Sequence, residues 1–253
     1  MLVATGGPGV VKAVLSSGKK AIGAGAGNPP AVVDETADIE KAVDDIVKGA
    51  SYDNNLPCTA EKEAIVVEEI FDYFMFTMQN HPQVFVLKDA DKIEALRKLI
   101  ILPGGGPNKD YTGKDATYLL EKIGVQAPAE TRLVVMETDF NHDFVQTELL
   151  MPVLAVVRAK DADHAIDLAV EAEHGNRRTA VCHSKNVDVL SRMAKEIQTT
   201  IFVKNAPSFS GLGVGGEGHT TYTVAGPTGE GLTSAKTFTR KRRCVLANSF
   251  NIR

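Results

Sequence analysis

The stretch Asn54-Asn55-Leu56-Pro57-Cys58-Thr59-Ala60-Glu61 places one cysteine directly in front of a long apolar pattern. Pro57 has a fixed backbone and biases the residue before it toward extended geometry, so the chain should reach Cys58 in a rigid, non-helical conformation. Thr59 is of a residue type that caps helix N-termini. The sequence therefore predicts a helix that begins immediately after Cys58.

Apolar residues recur behind Cys58 at steps of four and three, which is the period of one buried helix face. They are Ala60, Ala64, Val67, Phe71, Phe74 and Met78. A cysteine at the start of such a helix would lie near free N–H groups and the positive end of the helix dipole, which lower the pKa of the thiol. Cys58 is accordingly the candidate catalytic nucleophile. The alternative is a small buried apolar side chain, the usual role of a free cysteine.

Composition limits the classes of protein. A chain of 253 residues with 43% hydrophobic content is long enough for one large domain or two smaller ones. The formal net charge of −4 argues against a nucleic-acid partner. Three cysteines, at 58, 182 and 244, have the spacing of neither a disulfide framework nor a metal site. No apolar run reaches the roughly 18 residues of a membrane helix. A cytoplasmic protein without a metal is predicted.

Segments of strand and helix pattern alternate along the chain, which favours an α/β fold with a mostly parallel sheet flanked by helices. Strands are predicted at residues 2–5, 31–33, 83–87, 132–136, 153–157, 179–182 and 200–203. Helices are predicted at 38–50, 91–101, 117–123 and 187–197, and a further one from Asp161 onward. Residues 21–30, which are rich in glycine and alanine, are predicted to form a loop.

Two glycine-rich stretches are candidates for phosphate binding. The first, Gly6-Gly7-Pro8-Gly9, lies between a predicted strand and a predicted helix, where backbone N–H groups can approach a phosphate. The alternative is a plain tight turn. The second, residues 211–216, matches the pattern G-x-G-x-x-G. We reject a dinucleotide site there, because no strand leads directly into the glycines and no helix follows them.

Two further candidates carry reactive side chains. Cys182-His183 lies in a predicted strand, where successive side chains point to opposite faces, so the two cannot form a catalytic pair. Glu148 lies just before a Met-Pro corner that leads into a buried strand. Side chains at such corners often face a ligand, and the alternative is a solvated loop glutamate.

Taken together, these motifs resemble those of the aldehyde dehydrogenase superfamily, in particular the CoA-acylating enzymes of ethanolamine and propanediol utilisation. Thr5-Gly6-Gly7 resembles the family's Thr-Gly-Ser turn beside the nicotinamide. Cys58 occupies the place of the catalytic cysteine, and the sequence from Glu148 to Val153 is similar to Glu-x-Phe-Gly-Pro-Val. The resemblance implies Cys58 as the nucleophile, Thr5, Gly6, Gly7 and Glu148 as NAD-binding residues, and CoA as co-substrate.

One departure from the family bears on the reaction. Hydrolytic members have Glu-Leu-Gly-Gly-Lys, whose glutamate activates water, and alignment on Pro29 places Gly23 at that position. Without a placed base, a thioester on Cys58 should resist water and wait for a better nucleophile. The resemblance supplies the CoA thiol, so the expected reaction converts a short aliphatic aldehyde, acetaldehyde or propionaldehyde, into acyl-CoA with reduction of NAD. Two alternatives stay open: a hydrolytic enzyme that uses another base, and an incomplete domain for assembly or binding.

The resemblance also implies a domain organisation and partners. Relatives have roughly two hundred residues more at the N-terminus, about the size of one domain, so residues 1–50 are expected to be the remnant of an NAD-binding domain. Residues 51–226 would form the catalytic domain, and 227–253 a closing strand and oligomerisation segment. The strand predicted at 238–246 would help to form a homo-oligomer through its exposed edge. A bacterial microcompartment shell is a further expected partner, through an N-terminal peptide absent here.

Overall fold

A computed structural model describes residues 1–245 and 247. The strands are β1 (Leu2–Thr5), β2 (Ala21–Ala24), β3 (Pro30–Val33), β4 (Glu63–Val67), β5 (Val84–Val86), β6 (Leu133–Glu137), β7 (Val153–Ala159), β8 (Thr179–His183), β9 (Ile201–Lys204), β10 (Val224–Ala225) and β11 (Gly231–Leu232). The helices are α1 (Pro8–Leu15), α2 (Ile39–Ser51), α3 (Glu68–Asn80), α4 (Ala90–Ile100), α5 (Ala116–Lys122), α6 (Asp143–Gln146), α7 (Ala162–Ala172) and α8 (Val187–Ile197).

Seven strands form the main sheet in the order β5-β6-β7-β4-β3-β8-β9. Every neighbouring pair in this sheet is parallel. The starts of all seven strands therefore lie along one edge, here called the amino edge, and their ends lie along the opposite, carboxyl edge. The prediction of a mostly parallel sheet flanked by helices is confirmed.

The helices form where the sequence provides both a cap and an apolar face. Asp38 caps α2 by accepting a hydrogen bond from the Lys41 N–H at 3.2 Å, and Asn186 caps α8 through the Asp188 N–H at 2.9 Å. The predicted bounds of α8 match the observed ones. α2 packs against α3, α7 packs against α8, and both pairs contact the central strands.

The helix predicted directly after Cys58 is wrong. The apolar pattern behind the cysteine is divided between β4 and α3, and Thr59 caps no helix. All five residues of β4 are buried, since the strand lies in the middle of the sheet between β3 and β7. A strand buried on both faces is a continuous apolar run, and such a short run cannot be told from a helix by its periodicity.

Two smaller sheets complete the fold. β1 pairs with β2 in parallel, so part of the predicted loop at residues 21–30 is a strand whose small residues pack against a crowded neighbour. β10 and β11 pair antiparallel. The strand predicted at 238–246 is not observed: a short 3-10 helix covers Ala235–Phe238, residues 239–245 form no strand, and residue 246 lies outside the described residues.

The predicted division of the chain at residue 50 stays a prediction. β3 precedes that boundary and pairs with both β4 and β8 in the main sheet.

In the part of the chain that the structure describes, we find no helix that is long and apolar enough to cross a membrane.

Candidate active site

A cavity of about 410 Å³ lies at the amino edge of the main sheet. It brings together all five site residues that the sequence suggested, which are Thr5, Gly6, Gly7, Cys58 and Glu148. They come from three separate segments: the turn between β1 and α1, the turn between α2 and β4, and the segment before β7. The sequence motifs therefore converge on one site.

Cys58 follows an unusual turn. After α2 ends at Ser51, the backbone enters the left-handed region at three successive residues, Asp53, Asn54 and Asn55, with φ of 48°, 51° and 62°. Asparagine and aspartate tolerate this conformation better than other non-glycine residues. Cys58 then lies in a short turn closed by the Ala60 N–H, which donates to the Pro57 carbonyl at 3.0 Å. It does not lie at the N-terminus of a helix, so the predicted activation by a helix dipole is wrong.

Lys62 is a buried cation beneath this turn, with 2% of its surface exposed. Its ammonium group donates to the Asn55 carbonyl at 2.9 Å, to Asn55 Oδ1 at 2.5 Å and to the Pro57 carbonyl at 3.1 Å. The Asn55 amide in turn donates to the carbonyls of Ala50 and Glu61, each at 2.8 Å. Burial lowers the pKa of Lys62 to about 8, and nearby Glu148 opposes that effect.

Arg178 is a second buried cation, with 2% exposure, immediately before β8. Its guanidinium donates to the carbonyls of Gly25 and Val224. It thereby ties the segment after β2 to β10. Both partners are neutral carbonyls, so these hydrogen bonds hold the side chain without cancelling its charge.

The electrostatics of Cys58 differ from the sequence prediction. Burial raises the pKa of its thiol, and the negative charge of Glu148 acts in the same direction. The positive charges of Arg178 and Lys62 oppose the increase. The reactivity of Cys58 therefore depends on the balance between loss of solvent and two nearby cations, and not on a helix N-terminus.

Glu148 lies on the cavity wall opposite the glycine turn. Its Oε1 accepts a hydrogen bond from the Gly27 N–H at 3.1 Å. Burial raises the pKa of Glu148, while Lys62, the Gly27 N–H and Arg178 lower it. Glu148 is thus a fixed carboxylate with a hydrogen bond from the backbone, and the alternative of a solvated loop glutamate is excluded.

Gly27 lies where Cys58 and Arg178 come close together. A Cβ at this position would lie 2.5 Å from the carbonyl oxygen of Cys58 and 2.9 Å from Cγ of Arg178. Real Cβ atoms do not approach other atoms so closely, so only glycine fits between these two groups. The glycine-rich segment before β3 is therefore required for close packing at the site.

The turn Thr5-Gly6-Gly7 has the predicted form of strand, turn and helix. Gly7 is the N-cap of α1, with extended φ and ψ of −66° and 174°, and no side chain caps this helix. The Gly6 N–H donates to the Ala24 carbonyl at 2.9 Å, which joins the turn to β2. Gly7 lines the cavity at this helix start, which no side chain caps, and helix starts of this kind suit an anionic or hydroxyl-bearing ligand.

Gly23 lies within β2, and its N–H donates to Thr228 Oγ1 at 3.2 Å. A Cβ there would meet Val11 at 3.1 Å and Thr228 at 3.7 Å. Gly23 does not belong to the cavity lining. A glycine has no side chain, so position 23 itself supplies no base.

The segment after β9 closes the cavity. Leu212, in the second glycine-rich stretch, lines it together with Tyr52 and Tyr222, whose hydroxyl oxygens lie 3.1 Å apart. Residues 208–212 form a short 3-10 helix followed by a turn, so the rejection of a strand-turn-helix dinucleotide motif was correct.

Sequence reasoning missed Lys62, Arg178 and Gly27. A signal existed for Lys62, because Glu61-Lys62-Glu63 is a run of three charges that leads directly into the apolar strand β4. All three side chains are buried. The carboxylate of Glu61 accepts hydrogen bonds from the Ser208 N–H at 2.8 Å and the Ser208 hydroxyl at 2.5 Å. Arg178 carried no signal, since an arginine before a strand is most often solvated.

A larger cavity of about 630 Å³ lies at the carboxyl edge, between α4, β6, β7 and α7. It contains no cysteine, and Arg158 and Glu137 in its lining form an ion pair with each other. Among the described residues, no group of three His, Cys, Asp or Glu side chains is placed to hold a metal ion. Cys58 therefore makes the cavity at the amino edge the candidate active site.

The fold and the cavity define an α/β domain in which one cysteine, a carboxylate held by a backbone N–H and a helix start without a side-chain cap line the same site. The chain is a member of the aldehyde dehydrogenase family, because the sequence model of that family matches residues 1–95 and 131–236.

Known proteins resemble the chain over its whole length. It is 50% identical over 255 residues to a propanal dehydrogenase (CoA-propanoylating) of Salmonella typhimurium, with 100% of this chain and 54% of that protein covered. The structure of Rhodopseudomonas palustris propionaldehyde dehydrogenase with bound CoA and an acylated cysteine is 56% identical, with a TM-score of 0.95 and 57% of that chain covered.

A propionaldehyde dehydrogenase from the Clostridium phytofermentans fucose utilisation bacterial microcompartment is 51% identical, with a TM-score of 0.93. The match covers 100% of this chain and 58% of that one. The chain thus spans about half the length of the relatives that it matches.

Proposed function

We propose that this chain is the cysteine-bearing part of a CoA-acylating aldehyde dehydrogenase. The reaction oxidises a short aliphatic aldehyde, acetaldehyde or propionaldehyde, with NAD and transfers the acyl group through Cys58 to CoA. The observation that carries the proposal is the cavity in which Cys58, Glu148 and the turn of Thr5, Gly6 and Gly7 meet. The likeness to the Rhodopseudomonas palustris enzyme with CoA and an acylated cysteine supports it.

The chemistry begins at the sulfur of Cys58. Its thiolate attacks the aldehyde carbonyl carbon, and the carbonyl oxygen becomes the alkoxide of a thiohemiacetal. Loss of hydride from that carbon leaves a thioester on Cys58. The thiolate of CoA then attacks the thioester carbonyl, the bond to Cys58 breaks, and acyl-CoA leaves while Cys58 regains its thiolate. NAD, when bound, supplies the acceptor for the hydride.

The residues of the cavity fit the nicotinamide end of NAD. The cavity lining includes Thr5, whose side chain carries a hydroxyl, and Gly7, the N-cap at the start of α1, where no side chain caps the helix. Glu148 is held by the Gly27 N–H through one oxygen, which leaves its other oxygen as an acceptor for a ribose hydroxyl. We propose Thr5, Gly6, Gly7 and Glu148 as the residues that bind this end of the cofactor.

The transfer to CoA instead of water follows from Gly23. The backbone at Gly23 lies against Val11 and Thr228 and offers no carboxylate to activate water. A thioester on Cys58 should therefore persist until a thiol reaches it. Two carboxylates in the cavity lining, Asp53 and Glu148, are the observation in favour of a hydrolytic enzyme.

Acyl transfer tests the proposal without the cofactor. Incubation of the chain with propionyl-CoA should place a propionyl group on the peptide that contains Cys58, as read by mass spectrometry, and should release free CoA. Added CoA should remove the group, since the exchange is reversible. The Cys58→Ser variant should release no CoA, and Cys244→Ser, at an exposed cysteine, should react like the parent. A parent chain that stays unmodified would refute acyl transfer at Cys58.

The products of turnover discriminate among the alternatives. With aldehyde, NAD and CoA, the proposed activity gives acyl-CoA and NADH in equal amounts, and NADH formation depends on CoA. Free acid formed as fast as acyl-CoA would indicate a hydrolytic enzyme that uses another base. A third outcome is a folded chain that accepts the propionyl group and forms no NADH. That result would indicate a partial domain that supports acyl exchange and not the redox step.

We further propose a homo-oligomer located in the cytoplasm or in a bacterial microcompartment, with a shell as partner. The likeness to the Clostridium phytofermentans enzyme from such a compartment supports the location. We also propose the division into a cofactor-domain remnant (1–50), a catalytic domain (51–226) and a closing segment (227–253). Gel filtration tests the oligomer, and a monomeric elution volume would refute it.

A further inference from the structure

Lys62 fixes the backbone in front of the nucleophile. An ammonium group has three N–H donors, and Lys62 directs them at the Asn55 carbonyl, Asn55 Oδ1 and the Pro57 carbonyl. Asn55 is the last of the three left-handed residues, and Pro57 adjoins Cys58. The turn that aims Cys58 at the cavity is therefore built around a lysine, and an apolar side chain at position 62 would leave these oxygens without donors.

The positive charge of Lys62 is not cancelled by these contacts, because all three acceptors are uncharged. Three carboxyl groups lie nearby. Glu61 is bound to Ser208. Glu63 accepts no hydrogen bond from any described residue, and burial raises its pKa well above the usual value, which disfavours its charged form. Of the charges that raise the pKa of Lys62, Glu148 has the largest effect and Cys58 the second.

Arg178 lies close to Cys58 at Gly27. A Cβ on Gly27 would lie 2.5 Å from the Cys58 carbonyl oxygen and 2.9 Å from Cγ of Arg178, so the stem of Arg178 and the backbone of Cys58 crowd the same face of this glycine. The guanidinium is held by the carbonyls of Gly25 and Val224. In the described residues, no carboxylate forms an ion pair with Arg178 or with Lys62, while exposed lysines and arginines elsewhere do.

We propose that Lys62 and Arg178 are positioning residues whose two buried, unpaired positive charges stabilise the thiolate form of Cys58. They do this in place of the helix N-terminus that the sequence suggested. Interactions between charges are much stronger in a site shielded from water than at the surface. When the thiolate forms, the proton of the thiol passes to solvent through the open cavity. The inference rests on the proposed function only in taking Cys58 as the nucleophile.

Alkylation of Cys58 by iodoacetamide, measured as a function of pH, tests this inference, because only the thiolate reacts. The parent carries Cys244→Ser so that the exposed cysteine does not compete, and mass spectrometry assigns the adduct to Cys58. The pH at which the alkylation rate is half-maximal should rise by about one unit in Lys62→Met and in Arg178→Met. At a pH below this midpoint, each variant should therefore react roughly tenfold more slowly than the parent. Lys62→Arg keeps the charge, so its midpoint pH of alkylation should stay nearer to that of the parent.

Lys48→Met is the matched control, since Lys48 is exposed and pairs with Asp44 at the surface, and its pH profile should equal that of the parent. A purely structural role for Lys62 would lower stability and leave the alkylation pH profile unchanged, which would overturn the inference. Circular dichroism reports folding. If Lys62→Met does not fold, Lys62→Gln, which removes the charge and retains donors, decides in its place.

The result is separable from the test of function. A chain that accepts no propionyl group but shows the predicted shifts in alkylation would refute the proposed function and support the two cations. A chain that accepts the group normally in both methionine variants, with unshifted alkylation profiles, would support the function and overturn the role of the cations.

Discussion

The two edges of the main sheet carry charge in opposite ways. At the amino edge, Lys62 and Arg178 are almost completely buried and take part in no ion pair among the described residues. At the carboxyl edge, Arg158 pairs with Glu68 and Asp72, each at 2.9 Å, and the side chains of these partners are 59% and 89% exposed. The same sheet thus buries unpaired charges at one edge and pairs solvated ones at the other.

This difference supports the proposed site at the amino edge. Burial of a charge without a partner is costly. In open α/β sheets, ligands usually bind beyond the carboxyl ends of the strands. Here the carboxyl edge has the larger cavity, and the amino edge has the cysteine and the buried, unpaired charges. Unpaired buried charge is therefore the better guide to this site than cavity size or the general rule.

Gly27→Ala should have the largest effect, because its Cβ would enter the space between the Cys58 carbonyl and Arg178. A displacement of the nucleophile by about 1 Å can cost roughly 100-fold in rate, so propionyl transfer to Cys58 should fall by about that factor. Gly104→Ala is the control, since a Cβ added at Gly104 would meet no atom within 4 Å. An unchanged transfer rate in Gly27→Ala would show that the amino edge is not tightly built.

Gly49→Ala should destabilise the protein, although alanine in a helix is normally favoured over glycine by about 1 kcal/mol. Its Cβ would lie 2.1 Å from Oε2 of the buried Glu61, and such overpacking costs about 1–3 kcal/mol. Denaturant unfolding measures the change. Gly9→Ala in α1, where a Cβ meets nothing within 4 Å, should be neutral or stabilising. If both variants changed the free energy of unfolding in the same direction, that result would contradict the packing of Glu61 on α2.

Glu63→Gln should alter the dependence of stability on pH. The folded state holds the proton of Glu63 above the usual pKa of 4.5 because of burial, whereas the unfolded chain releases it. Stability is therefore lost as pH rises above 4.5, by up to about 1.4 kcal/mol per pH unit until the folded-state pKa is reached. The glutamine variant lacks this loss. Its advantage over the parent in unfolding free energy should be larger at about pH 8 than at about pH 5, and a constant difference would contradict a neutral Glu63.

Asp72→Asn at the carboxyl edge should have the smallest effect. Its carboxylate pairs with Arg158, yet it is 89% exposed, and exposed pairs contribute about 0–1 kcal/mol. Arg158 also keeps Glu68 and Glu137 and stacks on the ring of Phe71, 3.8 Å from its centroid. The free energy of unfolding should change by less than about 0.5 kcal/mol. A loss as large as that of Gly49→Ala would remove the contrast between the two edges.

Most of the secondary structure was predictable, because it is recorded in local patterns. The bounds predicted for α8 match the observed ones, and the alternation of strand and helix patterns predicted the parallel sheet. β4 was not predictable in this way, since its position in the centre of the sheet removes the alternation that marks a strand. β2 was hidden by small residues, which are as common in loops as at a crowded strand.

By itself, the sequence determined the reactive groups: a cysteine after proline, a glutamate before a Met-Pro corner, and a glycine turn before a helix. Only the tertiary structure decided how they act. It placed Gly27 against Glu148, 121 residues away, and enclosed Lys62 and Arg178 beside Cys58. Residue type and short-range spacing are written in the chain, whereas burial of a charge depends on segments that are distant in sequence. For that reason the sequence suggested Cys58 as the candidate nucleophile and was wrong about the helix N-terminus expected beside it.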